Sequence, residues 1–125
     1  MSSDAPLVFR DIARRAADPD SERDHLDARL WEPLRPGVEI HRLYGKDGGP
    51  AAALLRYAPG GEVPLHHHPG YEHIYVLSGS QQDERGVYGA GDFVVNLPGS
   101  RHRVESPGGC VVLVVWERPI EFVER

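Results

Sequence analysis

Four residues of this 125-residue chain have the types and spacing that hold a metal ion: His66, His68, Glu72 and His102. Three of them fall in the segment GGEVPLHHHPGYEHIYVLSG, residues 60–79, and the fourth follows the turn Pro98-Gly99-Ser100. Along a strand successive side chains alternate between faces, so His66 and His68 point one way and His67 the other. Pro69-Gly70-Tyr71 can turn the chain, which lets Glu72 open the next strand with its carboxylate near the two imidazoles. His102 is the distant member, brought alongside by its own turn. Imidazole nitrogens with one carboxylate suit Fe, Mn, Ni, Cu or Zn, whereas Ca and Mg prefer shells of oxygen.

Such a cluster needs strands to position it, and the chain supplies their pattern. From Trp31 onward short runs rich in Val, Leu and Tyr alternate with Gly and Pro, the texture of a β-sandwich or barrel. The expected strands are 38–44, 51–58, 63–68, 73–78, 86–88, 92–96, 101–105, 110–117 and 120–123. Turn signals separate them at KDGGP, PGG, PG, DERG, AGD, PGS and SPGG. The run Cys110–Trp116 is apolar almost throughout and β-branched, as expected of a strand buried on both faces. Residues 1–30 differ: dense in charge and poor in aromatics, they read as an arm, helical around Asp11–Ala17, and residues 31–125 as the barrel.

The length is that of one domain. A net charge of -5 and a sequence pI near 5.8 leave no basic footprint for nucleic acid or an anionic membrane. No long apolar run and no signal-peptide core are present, so a cytoplasmic protein is expected. The single cysteine, Cys110, excludes an intramolecular disulfide and a Cys-based zinc finger.

With these residues in place, the chain resembles the cupin family. The first cupin motif is matched by Gly60, His66, His68, Glu72 and Gly79, and the second by Gly91, Gly99 and His102. Leu97 stands where the motif has Pro and Ser106 where it has Asn. The resemblance covers residues 38–117 and implies an all-β, double-stranded β-helix, a jelly-roll barrel with the metal inside, held by His66, His68, Glu72 and His102. A narrower likeness, carried by WEPLRPGVEIHRLYG, AAALLRYAPGG and PGSRHRVESPGGC, is to the cupin domain of zinc-containing anti-sigma factors and to small dioxygenases.

The likeness implies two functions for one site. Open positions on Fe(II) would make the chain a metal-dependent oxidoreductase, oxidising a small oxygenated or dicarbonyl substrate held in the barrel. Saturated tetrahedral Zn(II) would make it a sensor or regulatory binding module. The first is the leading expectation, with sugar isomerisation last, and Mn, Ni and Cu remain possible metals. A sigma factor is expected to be an unlikely partner, because residues 1–30 lack the cysteines of the sigma-holding zinc domain and contain only His25. A homodimer is expected, paired through PIEFV or residues 31–43. Among other residues, His25, His41, His67 and His73 are expected to face outward, Cys110 to act as a small hydrophobe, and Arg56 and Arg101 to be exposed.

Overall fold

The computed structural model describes residues 4–17, 31–45 and 48–123. Among the described residues, one short helix, α1 (Ile12–Ala17), precedes ten strands: β1 (Trp31–Arg35), β2 (Val38–Gly45), β3 (Ala51–Tyr57), β4 (Gly61–His67), β5 (Glu72–Asp83), β6 (Gly86–Gly89), β7 (Phe93–Asn96), β8 (Arg101–Ser106), β9 (Cys110–Trp116) and β10 (Glu121–Phe122). The hydrogen-bonded order is β1-β2-β3-β9-β5-β8-β4-β10, with β6 and β7 also on β5. Every pairing is antiparallel, and the result is the expected jelly roll.

β5 joins the two sheets. Its first half pairs with β9 and β7, and its second half with β6 and β8. The register shifts between Val76 and Ser78, where Gly79 takes φ +70°, and a Cβ there would lie 2.2 Å from the Gly109 carbonyl oxygen. A bulge of this kind bends a strand so that it can serve two sheets. The strand expected over 73–78 therefore runs on through Gly79 to Asp83.

The inward faces of the strands make the core. Val38, Ile40, Leu55, Tyr57, Val63, Ile74, Val76, Val104, Val112 and Val114 are all buried there. β9 lies between β3 and β5, which explains its apolar sequence: Val112 and Val114 face the core, while Val111 and Leu113 join Leu54, Trp31, Leu77 and Ile12 in a second cluster outside. α1 thus packs Ile12 of the N-terminal stretch against the barrel. Residues 18–30 of the expected arm, His25 among them, lie outside the described residues.

β1 was not anticipated as a strand. Pro33 and the lack of alternation in WEPLR hide it, and Pro is tolerated because β1 is an edge. The segments expected to pair between two copies are engaged within the chain. β1 lies against β2, and β10 against β4, with Glu121 opposite His67 and Phe122 opposite His66. Both strands end the hydrogen-bonded order and are paired on one side only among the described residues, so the homodimer expectation stands as an expectation. Among the described residues no helix is long and apolar enough to cross a membrane.

Candidate metal centre

The four predicted residues converge. β4 and β8 are paired so that His66 lies directly opposite His102. His68 follows β4 and is pinned to the returning turn by two backbone hydrogen bonds, its N–H donating to Ser100 O and its carbonyl accepting from Gly99 N–H. The Pro69-Gly70-Tyr71 turn delivers Glu72 to the start of β5. Potential ligand atoms of all four residues lie within 4.8 Å of one another, and all four side chains are buried.

The alternation argument holds residue by residue. His66 and His68 are 3% and 1% exposed, whereas His67 faces out and contacts Glu121 at 3.3 Å. His73 is likewise outside, between the rings of Tyr71 and Phe93. From Glu72, the same parity puts Ile74 and Val76 inside.

Each imidazole is oriented through its Nδ1. That of His66 donates to Pro64 O at 2.9 Å. That of His68 meets Ser100 Oγ at 3.0 Å, and because this hydroxyl donates to Leu97 O it accepts from the ring. That of His102 donates to Asp83 Oδ2 at 3.0 Å. With the protons on Nδ1, the three Nε2 lone pairs are left for the centre, the arrangement by which neighbouring groups fix metal-binding histidines.

Glu72 is held from both sides by its cross-strand neighbours. Asn96 Nδ2 donates to Oε1 at 3.1 Å and Trp116 Nε1 to Oε2 at 2.6 Å. Oε1 also lies 3.1 Å from His68 Nε2 and 3.9 Å from His102 Nε2. Burial pushes the Glu72 carboxyl up, but the contact with His68 and the field of the imidazoles outweigh it and leave the group below its ordinary value. Burial in turn pushes the His66 imidazole down. Carboxylate and neutral imidazole are the ligating forms.

The buried Nε2 atoms of His68 and His102 make no hydrogen bond of proper geometry. Unpaired buried polar atoms are costly, and here the lone pairs face one another and a carboxylate. A divalent cation bound by three nitrogens and one oxygen resolves this, so the donor set fits a transition metal.

Four supporting residues escaped the sequence reading: Asp83, Asn96, Ser100 and Trp116. Asp83 lay in a segment read as turn, and Trp116 was read as core. Only the pairing of strands 24 and 44 residues apart shows that Asn96 and Trp116 meet Glu72. His41 requires a correction. It is 3% exposed, covered by Trp31 with ring centroids 5.4 Å apart, because β1 pairs beside β2 in a register that puts Trp31 directly opposite His41. Cys110 is buried and its thiol is pushed up by that burial, an unreactive setting. Arg56 is engaged by Glu39 at 2.8 Å and stacks on Trp31, and Arg101 is exposed.

A cavity of about 500 Å³ has none of the four residues in its lining and is linked to the centre through two neighbours of those residues. Trp116, whose indole holds Glu72, and Phe122, whose ring lies 6.2 Å from that of His66, are shared between them. Ala51 and Ala53 leave the space that Leu55 and Tyr57 fill further along β3. A hollow of about 580 Å³ at the β1–β2 turn contains none of the four residues.

Comparison with known proteins gives the chain its relatives. The ChrR cupin-like domain family matches residues 21–121. The anti-sigma-E factor ChrR of Cereibacter sphaeroides is 34% identical over 92% of this chain, which spans 58% of that relative's length. The crystal structure of Rhodobacter sphaeroides SigE in complex with the anti-sigma ChrR matches with a TM-score of 0.67 and 27% identity, over 91% of this chain and 70% of the matched one. An acetylacetone dioxygenase from Acinetobacter johnsonii shares the fold, with a TM-score of 0.72 at 14% identity over 78% of this chain and 74% of its own. The ChrR matches overturn the expectation that a sigma factor is an unlikely partner. That expectation rested on the absence of cysteine in residues 1–30, whereas the likeness to the anti-sigma factor runs over 92% of the chain.

Proposed function

The chain belongs to the family of ChrR cupin-like domains, and from that premise we propose that it is a metal-binding regulatory module that acts with a sigma factor in the cytoplasm. The observation that carries this reading is the likeness to an anti-sigma factor along 92% of the chain, together with a buried donor set of four. His66, His68 and His102 through Nε2, and Glu72 through its carboxylate, would hold a divalent metal, for which Zn(II) is our assignment. Four protein ligands complete a tetrahedral zinc shell, and such saturated sites are usually structural. His66 from β4, Glu72 from β5 and His102 from β8 would be cross-linked through the ion when it is bound. Pro64, Ser100 and Asp83 keep the imidazole protons on Nδ1, while Asn96 and Trp116 keep the carboxylate turned inward. Loss of the ion would then loosen both sheets at once and alter the surface offered to the partner.

The test is calorimetric titration of SigE with the zinc-loaded chain and with the same chain after chelation. Binding that changes by tenfold or more on metal removal supports the reading. Equal affinities in the two states, or no binding in either, count against it.

The cavity beside the centre favours a second reading, metal-dependent oxidation of a small oxygenated or dicarbonyl compound. Iron(II), when bound, would supply the oxygen chemistry. Oxygen uptake by the iron-loaded chain with a small diketone would support this reading over the regulatory one.

A further inference from the structure

The β5–β6 hairpin tip grips β8 residue by residue. Asp83 accepts from the His102 side chain, Glu84 accepts from the Arg103 backbone N–H at 3.1 and 3.2 Å, and the Arg85 guanidinium donates to the Arg101 carbonyl at 3.2 Å. Three consecutive residues thus hold three consecutive residues of the strand that carries His102. Glu84 and Arg85 are exposed, but the Asp83 side chain is only 3% exposed. Both oxygens of its carboxylate accept hydrogen bonds: Oδ2 from His102 Nδ1–H, and Oδ1 from the Tyr88 hydroxyl at 2.9 Å and the Arg85 N–H at 2.8 Å.

We propose that Asp83 is a positioning residue of the metal centre and that through it the exposed hairpin tip is coupled to metal occupancy. The proposal rests on the metal-binding part of the function proposed above and adds the route by which occupancy reaches the surface. Asp83 fixes His102 in the tautomer and ring orientation that present Nε2 inward, a role other protein carboxylates play behind metal-binding histidines. Coupling is reciprocal: if seating of the tip improves the ligand, the bound metal must steady the tip by the same factor. The tip is then the part of the surface on which a partner can distinguish the loaded from the empty barrel.

An amide cannot replace this carboxylate. Asp83→Asn keeps the shape, but its NH2 group must face the proton of His102 or those of Tyr88 and Arg85, so at least one donor meets a donor. Glu84→Gln, on the same tip but without contact to His102, keeps an oxygen for the Arg103 N–H and serves as the control.

The experiment measures zinc affinity by chelator competition, the cobalt(II) absorption spectrum, and amide exchange of residues 84–86 with and without zinc, in the wild-type chain and both variants. Asp83→Asn is expected to bind zinc about 10- to 100-fold more weakly, with a shifted cobalt spectrum, while Glu84→Gln matches the wild type. Zinc is expected to slow exchange at the tip by about the same factor in the wild type, and to lose that effect in Asp83→Asn. Should Asp83→Asn not fold, Tyr88→Phe, which removes one donor to Oδ1, must still lower zinc affinity. Wild-type affinity and spectrum in Asp83→Asn, or an equal loss in Glu84→Gln, overturns the proposal and leaves the metal centre intact. A wild-type chain that binds no zinc overturns both.

Discussion

Removing one imidazole from the centre leaves three donors and an uncompensated buried carboxylate. His66→Ala and His102→Ala are therefore expected to abolish stoichiometric metal in the purified protein, as read by elemental analysis. His67→Ala is expected to retain it, because that ring faces Glu121 outside. Metal loss in His67→Ala alone would mean that the alternation is misassigned. Acid acts on the same groups with a definite sign. The folded chain depresses His66 below its ordinary value of 6.5, so the unfolded chain binds the extra proton first and the stability held above that value falls as pH drops below it. Glu72, also depressed, contributes stability above its ordinary value of 4.5, and this is lost as pH falls through the folded value. Melting of the metal-free chain between about pH 8 and pH 4 is expected to show one continuous loss of stability toward acid, and a flat profile would contradict both shifts.

At the scale of the element, β5 carries the most consequence, because one strand serves two sheets. Gly79→Ala places a methyl group against the Gly109 carbonyl at a backbone angle that disfavours side chains. A loss of at least about 2 kcal/mol is expected by urea titration. A smaller loss would mean that the bulge relaxes elsewhere. Val112, fully buried at the centre of β9, tests ordinary packing, and Val112→Ala is expected to cost about 2 kcal/mol without changing metal affinity. Most strands were legible because alternation and the Gly and Pro turns are local features. β1 was not, since Pro33 interrupts its pattern, and the extension of β5 was not, since Gly79 looks locally like an end and acts as a bend only because β9 lies beside it.

For the whole molecule, an ion held by the four proposed ligands would join three strands that belong to two sheets. Chelation is therefore expected to lower the melting temperature in a single transition. The size of the effect is roughly 4 kcal/mol when metal exceeds its Kd about a thousandfold, which is about 15 °C for a chain of this length. Calorimetry with and without chelator checks this, and coincident melting curves would mean that the centre carries no metal of consequence. Residue types, parity and turn spacing by themselves limited the chain to a β-sandwich or barrel and picked out the four converging residues, because alternation and turns are set within a few residues by backbone geometry, and the cupin motifs narrowed the class to a jelly roll. Only the tertiary structure decided what surrounds them: Asp83 behind His102, Asn96 and Trp116 on either side of Glu72, and His41 beneath Trp31. Those contacts depend on which strands pair and in what register, a long-range outcome of burying both faces of β9 and bending β5 that no short stretch of sequence contains.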